Sequence, residues 1–273
     1  MKKWRFVAVD VDGTLLDDND HYDIACFNAV VRQLAQQGVD LIVASGNSLD
    51  ALQTIFADSP LVKNFVAENG GRIISNGYEQ FSKPHDRAII AQLLAWEQTL
   101  QLQPDLLSLS GANQTFISDQ FKDVAVPYYP HHCYFINLAE VNEPIFNLNL
   151  NWFKRRPAID WIMSQVHQLN QRFPQVHATY SGAYGIDVLP AGVDKAIGLT
   201  QLVNQLGGKM DELVAFGDTS NDLAMIQRAG CGYAMKNATA DLLAVADRVT
   251  HSDNNHNGLL KEIAELFDLS LPK

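Results

Sequence analysis

The hydrophobic pattern divides the chain into three stretches, and the two outer ones share a rhythm. Near the amino terminus, Val7-Ala8-Val9 is an unbroken apolar run that ends in Asp10-Val11-Asp12 and a Gly13-Thr14 turn. Continuous apolarity marks a strand buried on both faces, so this run predicts a parallel strand inside a sheet. Ile24, Phe27, Val31 and Leu34 then recur at helical spacing, Gly38 stops that helix, and residues 39–44 predict a second strand. Ser48 is placed to cap a helix carrying Leu49, Leu52, Ile55 and Phe56, before a strand over 64–67. The same alternation returns late in the chain: a helix from Asp194, a strand ending at Phe216, a helix from Ser220 and a strand over 231–235. Such alternation predicts a doubly wound, mainly parallel α/β sheet with helices on both faces.

The middle stretch reads differently. Candidate strands at 106–109, 115–118, 133–138 and 145–150 follow one another with few helices between them, and helices are expected near 87–100 and after Pro157 through Trp161, Ile162 and Val166. This is the grammar of an antiparallel or mixed α+β unit. The expected organisation is a Rossmann-like core over 1–83 and 189–273, interrupted by an inserted α+β cap domain over 84–188. Asn147, Asn149 and Asn151 alternate with Leu148 and Leu150, which places three amides on one strand face, either lining a sugar pocket or solvated. No fixed-period repeat or low-complexity stretch appears.

Polar residues fall where the predicted strands end, and in an open α/β sheet ligands bind beyond the carboxyl ends of the strands. Asp10 and Asp12 stand at one such end and Asp218 at another, with Asn221 and Asp222 just after it. Carboxylates brought this close repel unless a cation, a shared proton or a substrate compensates them, and hard oxygen ligands suit Mg²⁺. Asp222 is equally placed to favour a helix N-terminus. Ser45-Gly46-Asn47-Ser48 follows the strand over 39–44 with a hydroxyl and backbone N–H groups ahead of a helix, a cradle for an anion or a simple cap. Lys195 falls in a first helical turn, where a cation opposes the macrodipole unless an anion is held there.

In this order, Asp10-Val11-Asp12-Gly13-Thr14, Ser45, Lys195 and Gly217-Asp218-Thr219-Ser220-Asn221-Asp222 resemble the four motifs of the haloacid dehalogenase superfamily of aspartate-nucleophile phosphatases. Ala67-Glu68-Asn69-Gly70-Gly71 and Ala234-Met235-Lys236-Asn237-Ala238 resemble segments of its Cof-type subfamily, whose cap lies between the second and third motifs. The resemblance covers the whole chain. It implies a phosphomonoester hydrolase in which Asp10 is the nucleophile and Asp12 the general acid and base. Mg²⁺ would be held by Asp10, the backbone carbonyl of Asp12 and Asp218, with support from Asn221 or Asp222. Ser45, Gly46, Lys195 and Asn221 would hold the phosphate. Three positions depart from the usual pattern: Asn47 stands where many relatives carry Arg, Lys236 where a small Gly is frequent, and the 254–258 loop carries less acid than usual.

The expected substrate is a small phosphorylated metabolite, with sugar phosphates leading and pyridoxal phosphate or a flavin nucleotide phosphate next. Phosphonate cleavage would need an imine-forming cap lysine, which no context singles out. A phosphomutase would need a second phosphate site, for which Lys154-Arg155-Arg156 is the one basic run available in the cap. A catalytically silent phosphate-binding protein is the alternative of another class. Asn47, Lys236 and the turn Tyr180-Ser181-Gly182-Ala183-Tyr184-Gly185 are candidates for specificity, Tyr180 and Tyr184 foremost.

Composition narrows the partners. The 273 residues carry a formal charge of −11 and no basic stripe, which excludes a phosphate-backbone binder of nucleic acid. Cys26, Cys133 and Cys231 are odd in number and far apart, so no disulfide framework emerges. Pro130-His131-His132-Cys133 gathers soft-metal ligands, but strand alternation would turn His132 away from its neighbours. With no long apolar run and no leader expected ahead of the first strand, the chain reads as a cytoplasmic monomer or small homo-oligomer.

Overall fold

The computed structural model describes residues 4–126, 129–182 and 184–272. The chain forms two sheets. One has eight strands in the order Arg248–Val249, Cys231–Ala234, Leu213–Gly217, Phe6–Val9, Asp40–Ala44, Phe65–Ala67, Arg72–Ser75 and Tyr78–Ser82. The first six are parallel and the last two form an antiparallel hairpin at the edge. The other has six strands, Val176–Tyr180, Gly185–Pro190, Asn147–Asn151, Leu106–Ser110, Thr115–Ser118 and His132–Phe135, antiparallel except for the last pair.

The continuous apolar runs of the core strands follow from burial on both faces. Val7 and Val9 pack on one side with the helices Ile24–Gln36 and Gly258–Phe267, through Phe27, Val31, Leu34, Leu260 and Ile263. Phe6 and Ala8 pack on the other with the helices Lys195–Gln205 and Leu223–Arg228, through Leu199, Leu202, Val203, Met225 and Ile226. The first strand lies between 213–217 and 40–44, where the chain order reverses, and it delivers Asp10 into the crevice at that switch point.

The six-stranded sheet separates its two faces by alternation. Leu107, Leu109, Leu148, Leu150, Ile186 and Val188 pack beneath the helices Arg87–Glu97 and Ile159–Arg172. The intervening residues point the other way, towards the core. In register, Ser108 stands opposite Asn149, and Asn149 opposite Asp187, so one polar row crosses three strands.

Several boundaries differ from those read in the sequence. The expected limit at 188 falls inside the strand Gly185–Pro190, which still pairs with the six-stranded sheet at Pro190. The strand expected over 133–138 is His132–Phe135, and the chain turns into a 3₁₀ segment at Leu138–Glu140. The helix expected from Ser220 begins as a 3₁₀ turn, Ser220–Asp222, before Leu223–Arg228. The hairpin 72–75/78–82 was not legible, because Tyr78–Ser82 is largely exposed and carries no apolar alternation.

Candidate active site

Three neighbouring strand ends bring the sequence motifs together, since Asp10, Ser45 and Asp218 follow the adjacent strands Phe6–Val9, Asp40–Ala44 and Leu213–Gly217. Lys195 opens its helix one residue after Asp194, whose carboxylate caps the turn by accepting from the Ile197 N–H at 2.6 Å. The Lys195 side chain is fully buried. Its Nζ donates to Asp10 Oδ1 and Asp222 Oδ1, each at 2.7 Å. Burial works against the ammonium, but the two carboxylates outweigh it and hold Lys195 well above its ordinary range.

Asp222 is a brace. Its Oδ1 takes Lys195, and its Oδ2 accepts from the backbone N–H groups of Asp218 at 3.0 Å and Thr219 at 3.3 Å. Both oxygens are engaged and the residue is sealed from solvent, so it orients Lys195 and the loop that carries Asp218.

Carboxylate oxygens of Asp10, Asp218 and Asp222 lie within 4.8 Å of one another. Burial and the Asp222 charge push Asp10 well above the usual carboxylate range and Asp218 up to about 7. Gly13 lets the backbone run against this cluster. Its φ is +71°, and a Cβ there would stand 2.4 Å from Asp218 Oδ2. Hard oxygen donors that raise one another's proton affinity and face a cavity have the chemistry of a divalent-cation site.

Asp12 opens to the cavity and its Oδ2 accepts from Asn47 Nδ2 at 2.7 Å. Surrounding protein pushes its carboxyl up and the Asn47 hydrogen bond pulls it back. Ser45 is fully buried; its Oγ accepts the Asn47 N–H at 3.0 Å, and Gly46, Asn47 and Ser48 form the cavity wall in its place. Asn221 faces the cavity, donates to Asn69 Oδ1 at 3.2 Å and keeps a buried Oδ1 without a hydrogen-bond partner among the described residues.

The cavity, about 320 Å³, lies between these core residues and the polar face of the six-stranded sheet. Its far wall presents Ser108, Ser110, Tyr129, Asn147, Asn149 and Asp187. The alternation of Asn147 and Asn149 points into this space, whereas Asn151 lies outside the lining. Tyr180 and Tyr184 do not reach it: they pack against the cap's hydrophobic cluster, and Ser181 and Gly182 of the same turn face the cavity. Ala183 lies outside the described residues. Lys236 also stands apart, its Nζ on His251 O at 3.4 Å.

The remaining clusters have structural roles. Asp105 accepts from the backbone N–H groups of Lys154 and Arg155 and pairs with the Arg155 guanidinium at 2.9 Å, so the basic run braces a turn away from the cavity. His131 pairs with Asp50 at 2.7 Å while His132 Nδ1 contacts Tyr129 O, which disperses the soft-metal grouping.

Sequence reasoning missed the residues that join the two sheets. Asn69 and Glu68 both hold positive φ, +49° and +52°, an uncommon strain outside glycine. Asn69 Nδ2 donates to Asp187 Oδ2 at 2.8 Å, and Asn149 Nδ2 to Asp187 Oδ1 at 2.8 Å. A lone acid in the apolar strand Ile186-Asp187-Val188 was the available signal. Asn237, whose Nδ2 donates to Gly13 O at 2.8 Å, pins the loop after Asp12 from the other side.

This constellation, Asp10 at a strand end with the buried Lys195 and two further acids beneath the polar face of the six-stranded sheet, has the chemistry of a phosphoryl-transfer hydrolase. Residues 7–263 match the family model for haloacid dehalogenase-like hydrolases, and the chain belongs to that family. It is 31% identical over 275 residues to the 5-amino-6-(5-phospho-D-ribitylamino)uracil phosphatase YbjI of Escherichia coli K12, covering 98% of each chain. It is 25% identical over 260 residues to the phosphatase YcsE of Bacillus subtilis 168, named for the same substrate, covering 95% of this chain and 94% of that one. A crystal structure of a Streptococcus mutans UA159 protein superposes with a TM-score of 0.86 at 26% identity, covering 97% of this chain and all of the other. The chain is a phosphatase of the haloacid dehalogenase type. Among the described residues no helix is long and apolar enough to cross a membrane.

Proposed function

We propose that the protein is a Mg²⁺-dependent phosphomonoester hydrolase that releases a small, polyhydroxylated alcohol from its phosphate ester by way of an aspartyl-phosphate on Asp10. The observation that carries this reading is the pairing of Asp10 with the buried Lys195 at 2.7 Å, on the floor of a cavity whose opposite wall is built from hydroxyls and amides. Mg²⁺ would be held by Asp10, Asp218 and the backbone carbonyl of Asp12. When bound, it would neutralise phosphoryl charge and so permit attack by a carboxylate.

The chain's own groups divide the work. Lys195 fixes the Asp10 carboxylate and offsets the negative charge that gathers on approach. Asp12 donates a proton to the leaving oxygen and then takes one from the water that hydrolyses the acyl phosphate, held in place by Asn47. The N–H groups of Gly46 and Ser48 and the Asn221 amide hold the phosphoryl oxygens, while the Asn47 N–H is taken by Ser45 Oγ and shapes the turn. A sugar or sugar-alcohol phosphate fits a wall of hydroxyls and amides around the single carboxylate of Asp187. The relatives named for a ribitylamino-uracil phosphate support a ribityl ester as a second, narrower reading.

Phosphate release from sugar phosphates, a ribityl phosphate, pyridoxal phosphate and an aryl phosphate, with Mg²⁺ or EDTA, tests the proposal. Turnover is expected with Mg²⁺ alone and in the native protein alone, with Asp10→Asn inactive. Equal rates in EDTA, or an active Asp10→Asn protein, would overturn it.

A further inference from the structure

We infer that Asp187 is the residue by which the cap selects its leaving group, accepting hydroxyl protons next to the phosphoester and excluding leaving groups that carry their own negative charge. The inference deepens the phosphatase reading above and rests on it.

Position comes first. A Cβ built on Gly46 would stand 3.0 Å from Asn69 Nδ2 and 3.2 Å from Asp187 Oδ2. Asp187, on a cap strand, therefore touches the turn that would hold the phosphate. A side chain at position 46 would crowd both groups, and glycine leaves the approach open. An alcohol esterified to a phosphate on that turn has its nearest hydroxyls beside Asp187.

Chemistry comes second. Each carboxylate oxygen has two acceptor sites, and Asp187 takes amide donors from Asn149 on Oδ1 and Asn69 on Oδ2, with Asn147 a further amide partner. These amides fix the orientation of the group, and one acceptor site remains for a hydroxyl in the cavity that Asp187 lines. The neighbouring wall adds Tyr129 and Ser108, whose hydroxyls lie 2.9 Å apart and which can each donate or accept. Acceptors and hydroxyls spaced along a wall are what a polyol requires.

Charge comes third. The described residues that line the cavity include Asp10, Asp12, Asp187 and Asp218 but no lysine, arginine or histidine. Lys195 lies beneath, already shared by two carboxylates. A leaving group bearing a carboxylate or a second phosphate would meet Asp187 with nothing to neutralise it. The same lining weighs against a phosphomutase.

Asn69 also accepts from Asn221, so Asp187, Asn69 and Asn221 form one chain from the cap wall to the phosphate side. A merely structural Asp187 would thus disturb every substrate alike. That difference supplies the test.

The Mg²⁺-loaded native protein, Asp187→Asn and Asp187→Ala would be compared on ribitol phosphate, phosphoglycolate and 4-nitrophenyl phosphate. Asp187→Asn is expected to lose about 100-fold in kcat/KM on ribitol phosphate, to stay within about threefold on the aryl ester, and to gain at least about tenfold in absolute kcat/KM on phosphoglycolate. Asp187→Ala should show the same split, which guards against an amide that mispairs with Asn69. Equal losses on all three esters in both variants, or no change on ribitol phosphate, would overturn the inference while native turnover left the phosphatase reading intact. A native protein inactive on all three esters would overturn both.

Discussion

The two sheets present opposite kinds of chemistry to one cavity. The core side is a knot of charge: Asp10, Lys195 and Asp222 are buried and locked by 2.7 Å contacts, and every oxygen of Asp222 is committed. The cap side is a field of hydroxyls and amides around one carboxylate, Asp187. The contrast follows from what each must recognise. The phosphoryl group is invariant and needs preorganised charge, where a misplacement of 1 Å is costly. The leaving group varies, and hydroxyls that donate or accept can be re-paired along a polar wall. Substitutions in the core should therefore affect all substrates equally, and those in the cap should reorder them.

The largest effect is expected from Asp10→Asn, which keeps the shape but removes the nucleophile; kcat should fall by at least about 10³-fold on every ester. Residual activity confined to one ester would break the division between core and cap. Lys195→Met comes next, and its effect is on stability as well as rate. Removing one partner of a buried pair leaves Asp10 and Asp222 uncompensated, a loss of about 3–5 kcal/mol by urea denaturation. An unchanged midpoint would show that the cluster carries no net coupling.

Glu68 sharpens the contrast at the seam between the sheets. Burial, only partly offset by Arg72, pushes its carboxyl up to about 8. Because the folded state holds this proton more tightly than the unfolded chain, the stabilisation is fully present below about pH 4.5 and is lost as pH rises through 8. Glu68→Gln should match the native protein near pH 4.5 and exceed it by a few kcal/mol at pH 8. A constant difference across that range would contradict the assignment. Smaller still, Asn47→Ala should lower kcat about tenfold on all esters by freeing Asp12, whereas Tyr129→Phe should raise KM about threefold on polyol phosphates and leave the aryl ester unchanged.

How far the sequence foretold this site depends on the distance over which each feature is encoded. Asp10, Lys195 and Asp218 were legible because each follows an apolar run or opens a helix, and a parallel sheet must bring such ends together, whereas Ser45, equally marked by its strand end, lies buried behind the turn of Gly46, Asn47 and Ser48. The inward turn of Asn147 and Asn149 was legible from alternation alone, although the same alternation pointed as well to Asn151, which the cavity does not include. Tyr180 and Tyr184 were attractive as aromatic turn residues, yet their rings find more apolar surface in the cap core than over the cavity. Asn69 and Asp187 lie 118 residues apart, and their meeting depends on how the cap is set over the core. Local pattern carries no information about that placement.

The account's central claim is a covalent phosphate on Asp10, and Asp12→Asn tests it most directly. This variant keeps the nucleophile but lacks the group that activates water, and 4-nitrophenolate leaves without needing a proton. Mixed with Mg²⁺ and labelled 4-nitrophenyl phosphate, it should release one equivalent of nitrophenolate in a burst, then stall, with the label on the peptide that contains Asp10. Nitrophenolate release without a burst and without label, or label on any other residue, would contradict the account.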